Sequence, residues 1–183
     1  MKQKIGFCGL GKMGSVMAPL FIEAGYSLTV YNRSSEKTDP LKRIGASIAE
    51  LPSEVSEESE IIFTMLSDDE AIESIYLSKD GLLSADINGR LFIDMITIKP
   101  KTVLKISNEV QKKSGSFIDA PVSGTVAPAA KGELLIFCGG DAEHIKRAKP
   151  FLDILARRII HAGKIGSASV SYTHLTLPTT PYV

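Results

Sequence analysis

Short apolar runs alternate along the chain with stretches in which apolar residues recur at helical spacing. Residues 61–66 (Ile-Ile-Phe-Thr-Met-Leu) are almost wholly apolar, which is typical of a strand covered on both faces. Met17, Phe21 and Ala24 instead recur four and three residues apart, which indicates one buried helix face. The apolar runs predict strands over 4–8, 27–31, 61–66, 91–95, 117–120, 134–138 and 158–161. The periodic stretches predict helices over 13–24, 37–44, 101–113 and 141–156, and another that ends at Tyr76.

Polar residues and glycines mark several helix ends. The segment 67–70 (Ser-Asp-Asp-Glu) has the form of a capping box, which predicts Ser67 as the N-cap of the helix that ends at Tyr76. Asp141 is the predicted N-cap of the last helix, and Gly25 supplies a stop for the first.

The alternation of strands and helices fixes the expected fold class. Strands separated by helices predict an α/β protein with a Rossmann-like, doubly wound and mostly parallel sheet. The 183 residues are enough for one such domain with a sizeable core. We expect the domain to occupy residues 1–169.

Composition narrows the classes of partner. Lysine and arginine number 21, and aspartate and glutamate also number 21, so nothing indicates a nucleic-acid footprint or a polybasic membrane anchor. Glycines interrupt the N-terminal apolar stretch, which is too short for a signal peptide or a membrane span. Cys8 and Cys138 lie in apolar runs and are interpreted as buried thiols in a reducing compartment. We therefore expect a cytoplasmic protein, and we assign no metal ligands.

A glycine-rich loop follows the first predicted strand and opens the first predicted helix. The G-x-G-x-x-G pattern comprises Gly9, Leu10, Gly11, Lys12, Met13 and Gly14. In such a loop the first glycine permits the tight turn, the second lets the backbone approach a pyrophosphate, and the third allows close packing of helix and strand. The helix N-terminus then offers N–H groups to the phosphates. These six residues are the predicted cofactor-binding loop.

The end of the second strand indicates which dinucleotide binds. An NAD-preferring site usually has an acidic residue there, which holds the ribose 2′-hydroxyl. This chain has Asn32 and Arg33 instead. A guanidinium can pair with a 2′-phosphate through charge-assisted hydrogen bonds. NADP(H) is therefore the expected cofactor, with NAD(H) as the alternative.

At this point the chain resembles the β-hydroxyacid dehydrogenases, whose cofactor domain is of the 6-phosphogluconate dehydrogenase type. Residues 9–18 are similar to that family's opening signature, and 119–124 (Asp-Ala-Pro-Val-Ser-Gly) are similar to its substrate-loop motif. The resemblance runs from about residue 4 to about residue 167, and details such as Asn32-Arg33 and 64–68 favour the glyoxylate/succinic semialdehyde reductase branch. It implies hydride transfer between NADP(H) and a small aldehyde acid or hydroxy acid, in a parent protein that is a homo-oligomer.

The resemblance also implies roles for individual residues. Ser123 and Gly124, with Thr125 beside them, would hold the substrate carboxylate. Met65 and Leu66 would lie along the cofactor, and Thr97 would contact it near the nicotinamide. The family usually has serine where Ile96 stands here.

The resemblance stops in the C-terminal region. The family's general acid is a lysine expected near Tyr172, followed by an asparagine near Thr176, and neither is present. Lys164 lies inside the preceding turn and is a poor substitute. Residues 170–183 resemble a translated sequencing adaptor, so we expect the native gene to continue beyond about Ser169 into the family's all-helical domain. The chain is then a cofactor-binding half, inactive alone.

Three alternatives to the favoured reductase remain open. The chain could be a non-catalytic NADP-binding module, because it has the binding loop and no visible acid. It could belong to a 3-hydroxyisobutyrate dehydrogenase that uses NAD. Another Rossmann reductase, such as a pyrroline-carboxylate reductase, is disfavoured by the loop at 121–124.

Overall fold

A computed structural model describes residues 3–170. Its strands are β1 (Ile5–Cys8), β2 (Leu28–Tyr31), β3 (Ser47–Ile48), β4 (Ile61–Thr64), β5 (Leu91–Asp94), β6 (Ser116–Asp119), β7 (Val122–Ser123), β8 (Leu134–Gly139) and β9 (Ala156–Gly163). Its helices are α1 (Gly14–Glu23), α2 (Asp39–Arg43), α3 (Pro52–Glu58), α4 (Asp69–Leu77), α5 (Pro100–Lys112), α6 (Val126–Ala130) and α7 (Ala142–Leu155). The backbone becomes helical again at 167–170.

The strands form one sheet in the order β3-β2-β1-β4-β5-β6-β8-β7, and β9 pairs with β8. The pairs from β3 to β6 are parallel, and so is the β8–β9 pair, whereas β8 runs antiparallel to β6 and β7. The prediction of a mostly parallel, Rossmann-like sheet is confirmed. The chain direction across the sheet reverses at β1, which has β2 on one side and β4 on the other. In such sheets ligands bind outside the carboxyl ends of the strands at this switch point.

Helices on both faces of the sheet create two apolar clusters. One contains Phe7, Phe21 and Phe63, whose ring centroids lie 4.9–6.3 Å apart. The other contains Tyr76 and Phe92, with centroids 5.6 Å apart. Each of these large side chains is fully buried and contributes about 1.5–3 kcal/mol relative to exposure. Coverage of both faces explains why β1, β4 and β5 are buried along their whole length.

The predicted capping box at 67–70 is wrong. The N-cap of α4 is Asp68, whose carboxylate accepts from the Ala71 N–H at 2.8 Å. The Ser67 hydroxyl instead donates to Asp68 at 2.6 Å. A carboxylate beside the positive end of a helix dipole is a strong cap, so Asp68 rather than Ser67 is the N-cap.

Among the described residues, no helix is both long enough and apolar enough to cross a membrane.

Candidate functional site

The three glycines of the loop after β1 meet different steric demands. Gly9 has φ +99°, and a Cβ there would overlap the carbonyl oxygen of Met65. A Cβ at Gly14 would overlap the carbonyl oxygen of Gly9, which is how closely α1 approaches the loop. A Cβ at Gly11 would have no neighbour within 4 Å. The packing of the domain therefore requires glycine at 9 and 14, whereas position 11 faces open space.

Donor groups without partners in the described chain lie at and beside Gly11, at the start of α1. Across residues 3–170, the N–H groups of Gly11, Lys12 and Met13 have no backbone acceptor. The helix has no side-chain cap and no acidic residue in its first turn. Unpaired N–H groups at the positive end of a helix dipole form an anion-binding site. The loop thus combines free donors with room for a phosphate at Gly11.

Asn32 connects the end of β2 to the glycine loop. Its Oδ1 accepts from the Leu10 N–H at 2.8 Å, and its Nδ2 donates to the Ser34 carbonyl at 2.9 Å. Both ends of the amide are engaged within the protein, so Asn32 holds the loop in shape. Arg33, the next residue, is exposed.

A cleft of about 310 Å³ opens at the carboxyl edge of the sheet. It is lined by Met13, Met65, Leu66, Ser67, Met95, Ile96, Thr97, Val122 and Gly124. The structure thus brings together five of the residues predicted from the sequence. The sequence analysis missed four lining residues, Ser67, Met95, Ile96 and Val122. Met95 directly follows β5, and Ile96 and Val122 each precede a predicted site residue. The lining has no ionisable side chain.

The loop after β7 borders this cleft. Ser123 is half-buried, and its hydroxyl has no hydrogen-bond partner within residues 3–170. Gly124 has φ +149° and is exposed, and Thr125 is the N-cap of α6 without a side-chain capping bond. The three residues therefore present uncommitted polar groups at the edge of the cleft.

Buried polar residues lie below the cleft, where β4 and β5 end. The Thr64 hydroxyl donates to Asp94 Oδ1 at 2.7 Å. Because the single hydroxyl proton of Thr64 is committed to Asp94, the Tyr76 hydroxyl is the donor in its 3.4 Å contact with Thr64. Asp94 is fully buried, and its Oδ2 has no partner in the described chain. Burial raises the pKa of Asp94 to about 8, against the opposing hydrogen bond from Thr64.

The remaining titratable candidates take no part in the cleft. Lys164 is exposed in the turn after β9, and the His161 ring lies 2.9 Å from the Gly163 carbonyl oxygen. Cys8 and Cys138 are free and buried, and burial raises the pKa of the Cys138 thiol to about 12. Tyr172 and Thr176 lie outside the described residues. The described chain has no cluster of three or more His, Cys, Asp or Glu that could hold a metal ion.

A second depression, of about 570 Å³, lies along the outer surface of α5. Its lining comes from this helix alone and includes Lys101, Lys105 and Lys112. Lys105 pairs with Glu73 and Lys112 with Glu109, at 2.7 Å each. Its groups do not converge on an enclosed volume, so it is a weaker candidate than the cleft.

Comparison with known proteins agrees with this geometry. The chain is 37% identical over 166 residues to glyoxylate/succinic semialdehyde reductase 1 of Arabidopsis thaliana, covering 91% of this chain and 57% of the relative. It is also 37% identical over 171 residues to an NAD-dependent L-serine dehydrogenase of Pseudomonas aeruginosa, covering 93% and 57%. A Mycobacterium tuberculosis 3-hydroxyisobutyrate dehydrogenase, solved with L-serine, superposes with a TM-score of 0.89 at 29% identity, covering 96% and 59%.

The chain therefore spans somewhat more than half the length of these relatives. The resemblance to the hydroxyacid dehydrogenases is confirmed, because these relatives are oxidoreductases of that type. A family model describing the NAD binding domain of 6-phosphogluconate dehydrogenase matches residues 4–163, nearly the whole described chain and both the loop and the cleft. The chain belongs to that family of NAD(P)-binding domains.

Proposed function

We propose that this chain is the NADP-binding part of a reductase that transfers hydride to a small aldehyde acid, or from the matching hydroxy acid. The observation that carries the proposal is the glycine loop, where the N–H groups of Gly11, Lys12 and Met13 have no backbone acceptor among the described residues and a Cβ at Gly11 would have no neighbour within 4 Å. A pyrophosphate fits such a loop because its charge is matched by the helix N-terminus. The bound dinucleotide would supply the hydride, and the protein would supply positioning.

The preference for NADP(H) over NAD(H) rests on Arg33. Its side chain is exposed just beyond β2, on the same connection that Asn32 ties to the glycine loop. No acidic residue follows β2 before Glu36, so a 2′-phosphate at this position would meet a guanidinium. Such a charge-assisted pair contributes about 1.5–3 kcal/mol.

The substrate would bind at the other end of the cleft. The free hydroxyl of Ser123 and the exposed backbone of Gly124 and Thr125 suit a carboxylate that needs neutral donors. Met65, Leu66 and Thr97 would line the nicotinamide end. The small cleft favours a short acid such as glyoxylate or succinic semialdehyde, the substrates that the Arabidopsis relative's name carries.

One observation favours a second candidate, a non-catalytic NADP-binding module. The cleft lining has methionine, leucine, isoleucine, valine, serine, threonine and glycine but no histidine, lysine, tyrosine, cysteine or carboxyl group, the side chains that usually act as general acids. In the favoured proposal the general acid and the helical domain belong to a longer parent protein, a homo-oligomer, and the 183-residue chain binds cofactor without turnover. Buried, free Cys8 and Cys138 agree with a cytoplasmic location.

Calorimetric titration of the Arg33→Ala variant tests the cofactor assignment. We expect NADPH to bind about 10- to 150-fold more weakly than to the wild type, while NADH affinity stays nearly unchanged. Lys37→Ala is the matched control, because Lys37 is an exposed cation four residues away. Equal losses for both cofactors, or an equal effect of Lys37→Ala, would contradict a 2′-phosphate at Arg33.

A further inference from the structure

The carboxylate of Asp119, at the end of β6, holds the chain where it leaves the sheet. Asp119 Oδ1 accepts from the Gly166 N–H at 2.8 Å, and Oδ2 accepts from the Ser169 N–H at 3.2 Å. The Ser169 hydroxyl lies 3.4 Å from the same oxygen. These contacts span about fifty residues of sequence and are buried. Asp119 thus binds the first turn of the helical segment 167–170 as a carboxylate cap.

The same strand leads directly into the proposed substrate loop. Only Ala120 and Pro121 separate Asp119 from β7, whose Val122 lines the cleft. Ile165, in the turn that Asp119 holds, packs against the apolar cluster that also contains the cleft residue Ile96. Asp119 therefore joins the strand that leads into the proposed substrate loop to the turn that packs on this cluster.

Asp94 gives Asp119 a carboxyl neighbour. The two residues are register partners on adjacent parallel strands, so their side chains lie on the same face of the sheet. Asp94 interacts with the Thr64 hydroxyl and the Ile96 N–H, whereas Asp119 accepts from two backbone N–H groups and lies near the Ser169 hydroxyl. Burial raises the pKa of both carboxyls, and the charge of one disfavours ionisation of the other. The N–H groups of Gly166 and Ser169 oppose the rise at Asp119, so Asp119 is the carboxyl that ionises first. The donors on Asp119 thus favour a proton on Asp94.

The other titratable groups around the pair are neutral at pH 7. Tyr76 reaches Asp94 through Thr64, and its pKa is raised well above the usual value by burial. Cys8 from β1 and Cys138 from β8 are buried thiols whose pKa burial also raises. No described cation pairs with either carboxyl. The N–H groups of Gly166 and Ser169 are therefore what stabilise the charge of Asp119.

We propose that Asp119 is a positioning residue, whose ionised carboxylate ties the substrate loop to the exit turn at 163–170 beside a neutral Asp94. The link fixes the direction in which the chain leaves the sheet next to the cleft. The assignment of 122–125 as the substrate loop rests on the proposed function, whereas the link itself does not.

Backbone amide exchange in the wild type and in the matched variants Asp119→Asn and Asp94→Asn tests this link. Asparagine at 119 presents an NH₂ to an N–H donor, so we expect the Gly166 and Ser169 amides to exchange at least about tenfold faster. We also expect the Ser123 and Gly124 amide resonances to shift. Asparagine at 94 replaces a neutral group, so the exchange rates of the amides of Gly166, Ser169, Ser123 and Gly124 should stay within about twofold of the wild type. Equal effects of the two variants, or none at 119, would overturn the proposal.

The wild type supplies a second readout if Asp119→Asn does not fold. Carboxyl carbon shifts recorded against pH should show Asp119 ionising at lower pH than Asp94, and the reverse order would overturn the proposal. NADPH titration keeps this outcome separate from the proposed function. If the wild type does not bind NADPH but Asp119→Asn speeds amide exchange at Gly166 and Ser169, the proposed function is contradicted and the role of Asp119 is supported.

Discussion

The glycine loop after β1 and the carboxyl pair at the ends of β5 and β6 lie at the same edge of the sheet, but the chain specifies them differently. Steric exclusion determines the loop, since a Cβ at Gly14 would overlap the Gly9 carbonyl and a Cβ at Gly9 would overlap the Met65 carbonyl after β4. The carboxyl pair depends on residues far apart in sequence, such as Thr64, Asp94 and Ser169. The loop is marked in the sequence by a short glycine pattern, whereas the carboxyl pair forms only when the sheet aligns β5 with β6.

This difference separates binding from architecture. At the loop, free donors and open space remain after folding, which is what a ligand needs. At the carboxyl pair, most polar atoms are already satisfied inside the protein, which is what a structural link needs. Substitutions in the two regions should therefore affect different measurements.

The largest effect is expected for Gly11→Val on cofactor affinity. Position 11 has no protein neighbour, so the fold should accept a side chain that occupies the phosphate's space. NADPH affinity should fall on the order of 1000-fold, or about 4 kcal/mol, with the unfolding midpoint close to that of the wild type. Calorimetry and thermal unfolding on the same sample measure both. Wild-type affinity in this variant would mean that the pyrophosphate lies elsewhere.

Gly9→Ala should instead act mainly on the stability of the fold. Its positive φ and the Met65 carbonyl oppose a Cβ, so the free energy of unfolding should fall by about 2–3 kcal/mol. Gly11→Ala is the matched control and should change it by less than about 0.5 kcal/mol. Denaturant titration compares the two. Similar losses at both positions would contradict the distinction between a packed and an open glycine.

The apolar runs and the glycine loop could be predicted from the sequence because their signals are local. The main parallel strands lie where the runs predicted them, and Gly9, Gly11 and Gly14 have the distinct environments that their spacing implied. The short β3 and α3 were missed, since α3 has seven residues and buries only Pro52, Val55 and Ser56. Asp94 and Asp119 sit in apolar runs with no local sign of being neighbours. Only the register of β5 against β6 brings them together.

Asp94→Asn should change how stability depends on pH. The folded-state pKa of Asp94, about 8, lies above its value in an unfolded chain, so the native state binds the proton more tightly. The resulting stabilisation is complete below about pH 4 and is lost as the pH rises toward 8. Between pH 5 and 8 the free energy of unfolding of the wild type should fall by about 3–4 kcal/mol more than that of the variant. Denaturant midpoints at several pH values test this, and parallel curves would contradict a buried neutral carboxyl.

The smallest effect is expected for Asp68→Asn on cofactor choice. Hydrogen bonds from Ser67 and Ala71 lower the pKa of Asp68, and the charge of Arg33 adds to them, so the two side chains are within electrostatic range. Asparagine preserves the N-cap of α4 while removing a negative charge near the proposed 2′-phosphate. NADPH should bind about two- to fivefold more tightly, and NADH should be unaffected. Tighter binding of both cofactors would mean that the charge of Asp68 acts on the glycine loop and not on the 2′-phosphate.

The most direct test of the central claim is an NMR titration of the isotopically labelled chain with NADP⁺. We expect the largest amide shifts at Gly11, Lys12 and Met13, and smaller shifts at Arg33 and along the cleft at Met65, Leu66 and Thr97. All of these shifts should saturate at the same cofactor concentration. Gly166 and Ser169, held by Asp119, should shift little. Shifts concentrated along α5, or absent from the glycine loop at saturating cofactor, would contradict it.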